Sequence, residues 1–319
     1  DRESMKLKTK IDEAGVVLKK WNIEINIGIL NGFNDAYLIP TKKRNELINS
    51  DAKNTEIIKP ILRGRDVKKY GYKWDDLWLI NVHNGVKKLG IERINAERDY
   101  PKIYEYLSQY ITELEVRQNK GSHWTNLRNC GYYLEFEKPK IIWGELSDTP
   151  KFAFDSKGMY AEATLFAMTG ENLKYLLVVL NSKAALWFFN QITTTSGMGT
   201  SRWKKYKIEQ LPIPKLENNG IENKFDILAE YLTFLNDTAK PSINNFTDNA
   251  SIAPVFEDIA NMMVYEMYFT QHMQELEIDV LQFIDTEKHF KPIDTSEAAD
   301  KEVNAKIIGQ PVDAAGAPG

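Results

Sequence analysis

Between residues 22 and 30 isoleucine stands at every second position (Ile23, Ile25, Ile27 and Ile29), with Glu24, Asn26 and Gly28 between. A period of two is that of a strand with one face in a core and one towards solvent. Such a strand is stable only when it pairs, so the chain must supply partners. Strand-like runs recur at 36–39, 77–82, 140–143, 152–154, 160–168 and 208–214. Helical periodicity occupies 2–20, 41–49, 97–117 and 171–190. The expected class is α+β: a mixed-sheet recognition domain with packed helices, followed by a helical C-terminal region.

Local signals refine that reading. Asn31-Gly32 marks a tight turn between the first strand and one ending at Pro40. Within 97–117, Tyr100, Ile103, Tyr104, Leu107, Tyr110, Ile111 and Leu114 fall on one helical stripe. Its tyrosines are expected in a core or an interface. After Leu216 the character changes, and 223–236 and 255–283 read as acidic amphipathic helices. Their stripes (Ile227, Leu228, Tyr231 and Leu235; Met262, Met263, Met267 and Phe269) are expected to pack on the body or on another subunit. Residues 292–319, rich in Ala, Gly, Pro and Asp, have little to bury. The expected organisation is a recognition domain over 1–216, an acidic helical region over 217–290 and a low-complexity tail over 291–319.

Charge divides along the same line. Residues 217–319 hold 6 Lys/Arg against 19 Asp/Glu, a balance of −13; residues 1–216 hold 35 against 26, a balance of +9. Every arginine lies in the first part. A basic body beside an acidic region suits a surface for a polyanion on one part only.

Several chemistries find no support. No apolar run approaches the roughly 18 residues of a membrane helix, no secretory signal opens the chain, and Cys130 is the only cysteine. No membrane partner and a cytoplasmic location are expected. Because the chain starts at Asp1 and its first methionine is Met5, it is expected to be a piece of something longer. The four histidines (His83, His123, His272 and His289) lack ligand spacing, so no metal site is expected. Asp66-Val67-Lys68 and Asp155-Ser156-Lys157 have an Asp-x-Lys pattern found in nucleases, but neither has a second acidic residue at obvious spacing. No two prolines are adjacent, so the Asn/Asp-Pro-Pro-aromatic segment of adenine methyltransferases is absent. Gly197-Met198-Gly199 follows a Ser/Thr run rather than a strand. No catalytic residue and no cofactor are expected within the chain.

Binding features are richer. Asn31, Gly32 and Asn34 lie in one loop; asparagine can bond bidentately to an adenine edge, and glycine permits close approach. In 63–74, Arg63, Arg65, Lys68 and Lys69 are interleaved with aromatics and suit phosphate contacts. In 194–205, Thr200 and Ser201 offer hydroxyls to phosphates, Lys204 and Lys205 offer charge, and Arg202 can reach a guanine edge. Trp124 and Arg128 sit in the polar loop 118–129.

Taken in order, Gly28-Ile29-Leu30-Asn31-Gly32-Phe33-Asn34-Asp35-Ala36-Tyr37, the run from Ile58 to Tyr70 that contains Pro60, Arg63, Gly64, Arg65 and Asp66, Pro139-Lys140-Ile141-Ile142-Trp143, Leu180-Asn181-Ser182 and Leu211-Pro212-Ile213-Pro214 make the chain recognisable. Over about Trp21 to Pro214 it resembles the TaqI-like C-terminal specificity domain, the target recognition domain of Type IIG restriction-modification enzymes and adenine-N6 DNA methyltransferases. The resemblance implies double-stranded DNA as partner, and an upstream methyltransferase domain of the same polypeptide that holds S-adenosylmethionine. The family pattern often has Thr where Leu30 stands. The alternatives are a single-domain specificity subunit of a multisubunit restriction system, and a protein-interaction module whose basic loops are incidental.

Overall fold

The structure, a computed structural model, describes residues 2–193, 201–216, 220–237, 240, 242–243, 247–284 and 292. The isoleucine-rich strand, Ile23–Ile27, is the edge of a four-stranded antiparallel sheet. The order is Phe152–Asp155, Lys140–Gly144, Leu165–Gly170, Ile23–Ile27. The sheet is a partition between two cores, because alternate side chains leave opposite faces. Ile141, Trp143, Phe152, Phe166 and Met168 enter one core, while Ile142, Ala153, Leu165 and Ala167 enter the other.

The first core is closed by helices. Leu173–Leu180 and Lys183–Ile192 cover the sheet, and Ile221–Leu235 and Asn249–Tyr268 pack outside them. Ile227, Leu228, Tyr231, Leu235 and Met263 are buried in this core. The acidic helices therefore pack on the body.

The second core is shared with a second sheet, ordered Tyr160–Ala161, Ile58–Leu62, Leu77–Ile80, Leu38–Pro40. The first pair is parallel and the others antiparallel. Helices Thr41–Ser50, Pro101–Ser108 and Ile111–Val116 surround it. The described part is thus a mixed α+β fold with helices gathered at its C-terminal end.

Local expectations fail where backbone chemistry overrides periodicity. Residues 97–117 form three short helices: Tyr100, before Pro101, takes φ −141° and ψ 63°, since a residue preceding proline avoids the helical region. The helix expected over 171–190 breaks at Asn181-Ser182, where the Ser182 hydroxyl accepts from Ala185 N at 3.1 Å and caps the second piece. The Asn181 amide turns to the sheet, accepting from Phe152 N (3.1 Å) and donating to Phe152 O (2.9 Å). The helix expected over 2–20 ends at Ala14 and is followed by Gly15–Val17, a strand paired with Pro212–Pro214; of the strand expected over 208–214 only Pro212–Pro214 forms, and Ile208 ends a helical turn that begins at Lys205. Asn31-Gly32 does not close a hairpin, because Asn34–Tyr37 is a helical turn and Leu38–Pro40 joins the other sheet. Finally, 160–168 is not one strand. It changes sheets at Glu162-Ala163-Thr164.

Candidate nucleic-acid interface

The turn at Glu162-Ala163-Thr164 is where three polar segments meet. Its own shape is held by the Glu162 carboxylate, which accepts from Thr164 N at 3.1 Å and from the Thr164 hydroxyl. Gly28 N donates to Leu165 O (2.8 Å) and Ile29 N to Ala161 O (2.7 Å), bringing in the Asn31 loop. A Cβ on Gly28 would stand 2.0 Å from Glu162 O, so only glycine allows this approach. Glu162 N donates to Leu62 O (2.9 Å) and Gly64 N to the Thr164 hydroxyl (3.0 Å), bringing in the Arg63 segment. Glu145 N donates to Thr164 O (3.0 Å), and Trp203 N to Glu145 O (2.7 Å), bringing in the Arg202 segment.

Each segment presents its side chains differently. Asn31 is buried and serves its own loop: its amide donates to Asn34 Oδ1 (2.8 Å) and accepts from Phe33 N (2.9 Å). Gly32 has φ +77°, and its surface faces Asn119. Leu30, Asn34, Asn119, Glu162 and Ala163 line a shallow depression of about 340 Å³ there. Arg128 is exposed and donates to Asn119 Oδ1 at 3.3 Å, which places it beside this loop. Trp124 instead packs against Tyr104 and His123, with ring centroids 5.4 Å away in each case.

Arg63 lies between Asp66 and Asp75, and Arg65, 68% exposed, approaches Asp75 at 3.6 Å. Lys68 is exposed. Lys69 turns away to Glu257 of the Asn249–Tyr268 helix, at 2.5 Å. Ser201 is buried, paired with Ser147 in a short antiparallel ladder, while Arg202 is 62% exposed. Arg202 and Lys204 both approach the Glu145 carboxylate, at 3.0 and 3.5 Å. Between them Trp203 points inward, its ring 3.9 Å from that of Phe189 and parallel to it. Trp203 Nε1 donates to Ser147 O (3.1 Å), and its own carbonyl accepts from Trp143 Nε1 (2.8 Å). Lys205 Nζ donates to Ile25 O on the edge strand at 2.8 Å. Thr200, with the rest of 194–200, and the tail from 293 onward lie outside the described residues.

Two ordering residues escaped the sequence reading. Arg117 is buried over the Tyr37 ring and donates to the Tyr37 hydroxyl (2.7 Å) and to Asn126 O. Burial pushes the Tyr37 phenol up to about 12, against the pull of Arg117. Asn126 donates to Ile94 O (2.9 Å), tying the 118–129 loop to the body. Nothing in the local pattern distinguishes either residue. The Glu162-Ala163-Thr164 turn had one faint signal, a polar pair at 162 and 164 interrupting an apolar run.

The Asp-x-Lys triplets are structural. Asp155 is wholly buried against Lys140, accepts from the Tyr72 hydroxyl (2.7 Å) and Met159 N (2.9 Å), and meets Lys157 only through its backbone N (3.0 Å). Burial lowers the Lys140 ammonium from its ordinary value, with Asp155 opposing. Asp66 accepts from Arg63 N at 2.8 Å. Burial raises the Cys130 thiol to about 11, which suits a packed side chain better than a nucleophile. Among the described residues no group of three or more His, Cys, Asp or Glu side chains is arranged to hold a metal, and no helix is long and apolar enough to cross a membrane.

The same region is similar to known proteins. Residues 59–213 match the TaqI-like C-terminal specificity domain. Among solved structures, the fold is similar to that of the Type IIL restriction-modification enzyme MmeI in complex with DNA. The TM-score is 0.52 at 10% sequence identity, over 83% of this chain and 36% of that one. The chain therefore spans about a third of that structure, and the likeness is one of fold. No curated protein matches the sequence.

Proposed function

From the match of residues 59–213 to the TaqI-like C-terminal specificity domain, we propose that this chain reads double-stranded DNA sequence for a restriction-modification enzyme. The observation that carries the proposal is the Glu162-Ala163-Thr164 turn, whose backbone and hydroxyl bonds hold three loops side by side. Around it stand Arg65, Arg128, Arg202 and Lys204, with outward cations and glycine-thinned backbone between them. Phosphates bind such cations without regard to sequence, while a planar guanidinium such as that of Arg202 can also address a guanine edge. That the fold resembles one bound to DNA in the MmeI complex supports this.

Catalysis is assigned to a separate adenine-N6 methyltransferase domain, which would hold S-adenosylmethionine. Among the described residues, the strand-to-helix passage at Gly170 does not fit that cofactor. At the passage from a central strand into the Leu173–Leu180 helix, a Cβ on Gly170 would meet Asn22 O at 2.3 Å, and Glu171 N already donates to Asn22 O (3.1 Å). The turn is filled by the chain's own backbone and leaves no cradle. The duty left to this chain is to grip and register the duplex while another domain extrudes the adenine, whose reacting atom is inaccessible in the stack.

The test is selection from a randomised duplex library followed by sequencing. A short enriched motif is expected, with Arg202→Ala losing preference at one position by about 1–3 kcal/mol of discrimination. Absence of any enriched motif, together with no salt-sensitive binding, would overturn the reading.

A further inference from the structure

We propose that the hairpin from Asn84 to Arg93 is a second, sequence-independent grip on the same duplex, with Lys87 and Lys88 each neutralising a backbone phosphate. The inference rests on the duplex-reading function proposed above, and extends it to a segment outside the three loops.

The hairpin is built to project. Val86 and Ile91 exchange both backbone bonds (2.9 and 3.2 Å), closing a narrow neck. Gly85, at φ +77°, turns the chain outward; a Cβ there would stand 2.7 Å from Arg93 N. The tip, Lys87–Leu89, ends at Gly90 with φ +67°, around which a Cβ would meet nothing within 4 Å. Residues 87 to 90 are all exposed, and Leu89 presents 59% of its surface to solvent. An exposed leucine between two lysines and the solvent is unhelpful to a free hairpin, but fits against deoxyribose once the lysines have docked.

Charge separates this tip from the loops. Arg63, Arg65, Arg202 and Lys204 each already approach a carboxylate. Neither Lys87 nor Lys88 is paired with a carboxylate among the described residues. The tip also forms one wall of a groove of about 1210 Å³, in which Glu24, Glu92 and Glu135 stand beside Arg93 and Arg98. Mixed charge deeper in that groove does not favour phosphate, so the contact is assigned to the exposed lysines of the tip.

The hairpin is also tied to the site. Asn84 Nδ2 donates to the Ser122 hydroxyl (3.2 Å) and to Asn129 Oδ1, and Ser122 N donates back to Asn84 Oδ1 (2.9 Å). Arg93 donates to Asn126 Oδ1 at 3.1 Å. The same polar loop carries Asn119, which borders Gly32, and Arg128, which donates to Asn119 Oδ1. One segment thus connects the projecting lysines to the first loop.

The experiment measures duplex affinity of the full chain against salt, for a selected and a scrambled sequence. Lys87→Ala/Lys88→Ala is compared with Lys6→Ala/Lys10→Ala, an equal charge change on the N-terminal helix. Two lost phosphate contacts should shallow the log K against log salt slope by about 1.8 and weaken binding on the order of tenfold at low salt, equally for both sequences. The control pair should leave the slope alone. An unchanged slope in the hairpin variant, with salt-sensitive binding by the unaltered chain, overturns the hairpin grip and leaves the duplex-reading function standing. An equal fall in the control overturns the grip as well, by showing a net-charge effect. No binding by the unaltered chain removes both.

Discussion

The segments 63–69 and 201–205 are alike in composition and unlike in construction. In the first, two arginines crowd onto Asp66 and Asp75, and Lys69 is drawn to a C-terminal helix. In the second, Trp203 is driven into the core, and the residues on either side are forced outward over a single carboxylate, Glu145. An apolar anchor between two cations presents both; acidic neighbours restrain them. A count of positive residues therefore does not measure what a surface offers to phosphate.

The largest expected effect tests the anchor. Trp203→Ala removes a ring stacked on Phe189 together with its bond to Ser147 O. A loss of about 3–5 kcal/mol in chemical denaturation is expected, against well under 1 kcal/mol for Arg202→Ala, an exposed ion-pair partner. Equal losses would dissolve the distinction. A smaller pair of changes asks whether the carboxylates restrain or orient. Asp75→Asn should release Arg63 and Arg65 and tighten duplex binding at low salt by up to about fivefold. Glu145→Gln should leave affinity nearer to unaltered and blur sequence preference, since Arg202 loses the group that aims it. Titrations with matched and scrambled duplexes separate the two, and identical behaviour would break the comparison.

The smallest effect concerns the helical side alone. Burial raises the Asp226 carboxyl to about 6; Lys174 opposes this, and Glu222 and Glu230 add to it. Because the folded value lies above the unfolded one, the group favours the fold at low pH, and that contribution is lost as pH rises through about 6. Asp226→Asn should then raise the Tm at pH 7.5 by about 1–3 °C, and the gain should vanish below pH 4. A melting series across pH checks the sign, and duplex affinity should not move.

The class of fold was legible because periodicity is a local property. Alternating isoleucines at 23–29 and the apolar runs at 140–143 and 165–168 appear as paired strands. The stripes at 227–235 appear as buried helix faces. The segments proposed to face DNA were legible as compositions, with glycine and cations together. What did not show was how they meet. Glu162-Ala163-Thr164 reads as strand, and nothing near Gly28 or Gly64 names it as a neighbour. Asn31, with the residue type of a base reader, spends its amide on its own loop.

The amino-acid order by itself determined which segments could be strands, which helices would bury a face, and where positive charge would accumulate. Those follow from side-chain spacing and backbone preference, which act over a few residues. Only the tertiary structure decided that three distant loops share one turn, that Lys69 faces a helix rather than the same surface, and that a two-lysine hairpin is tied to the 118–129 loop. Such outcomes depend on hydrogen bonds and contacts between residues far apart in sequence, which no local preference specifies.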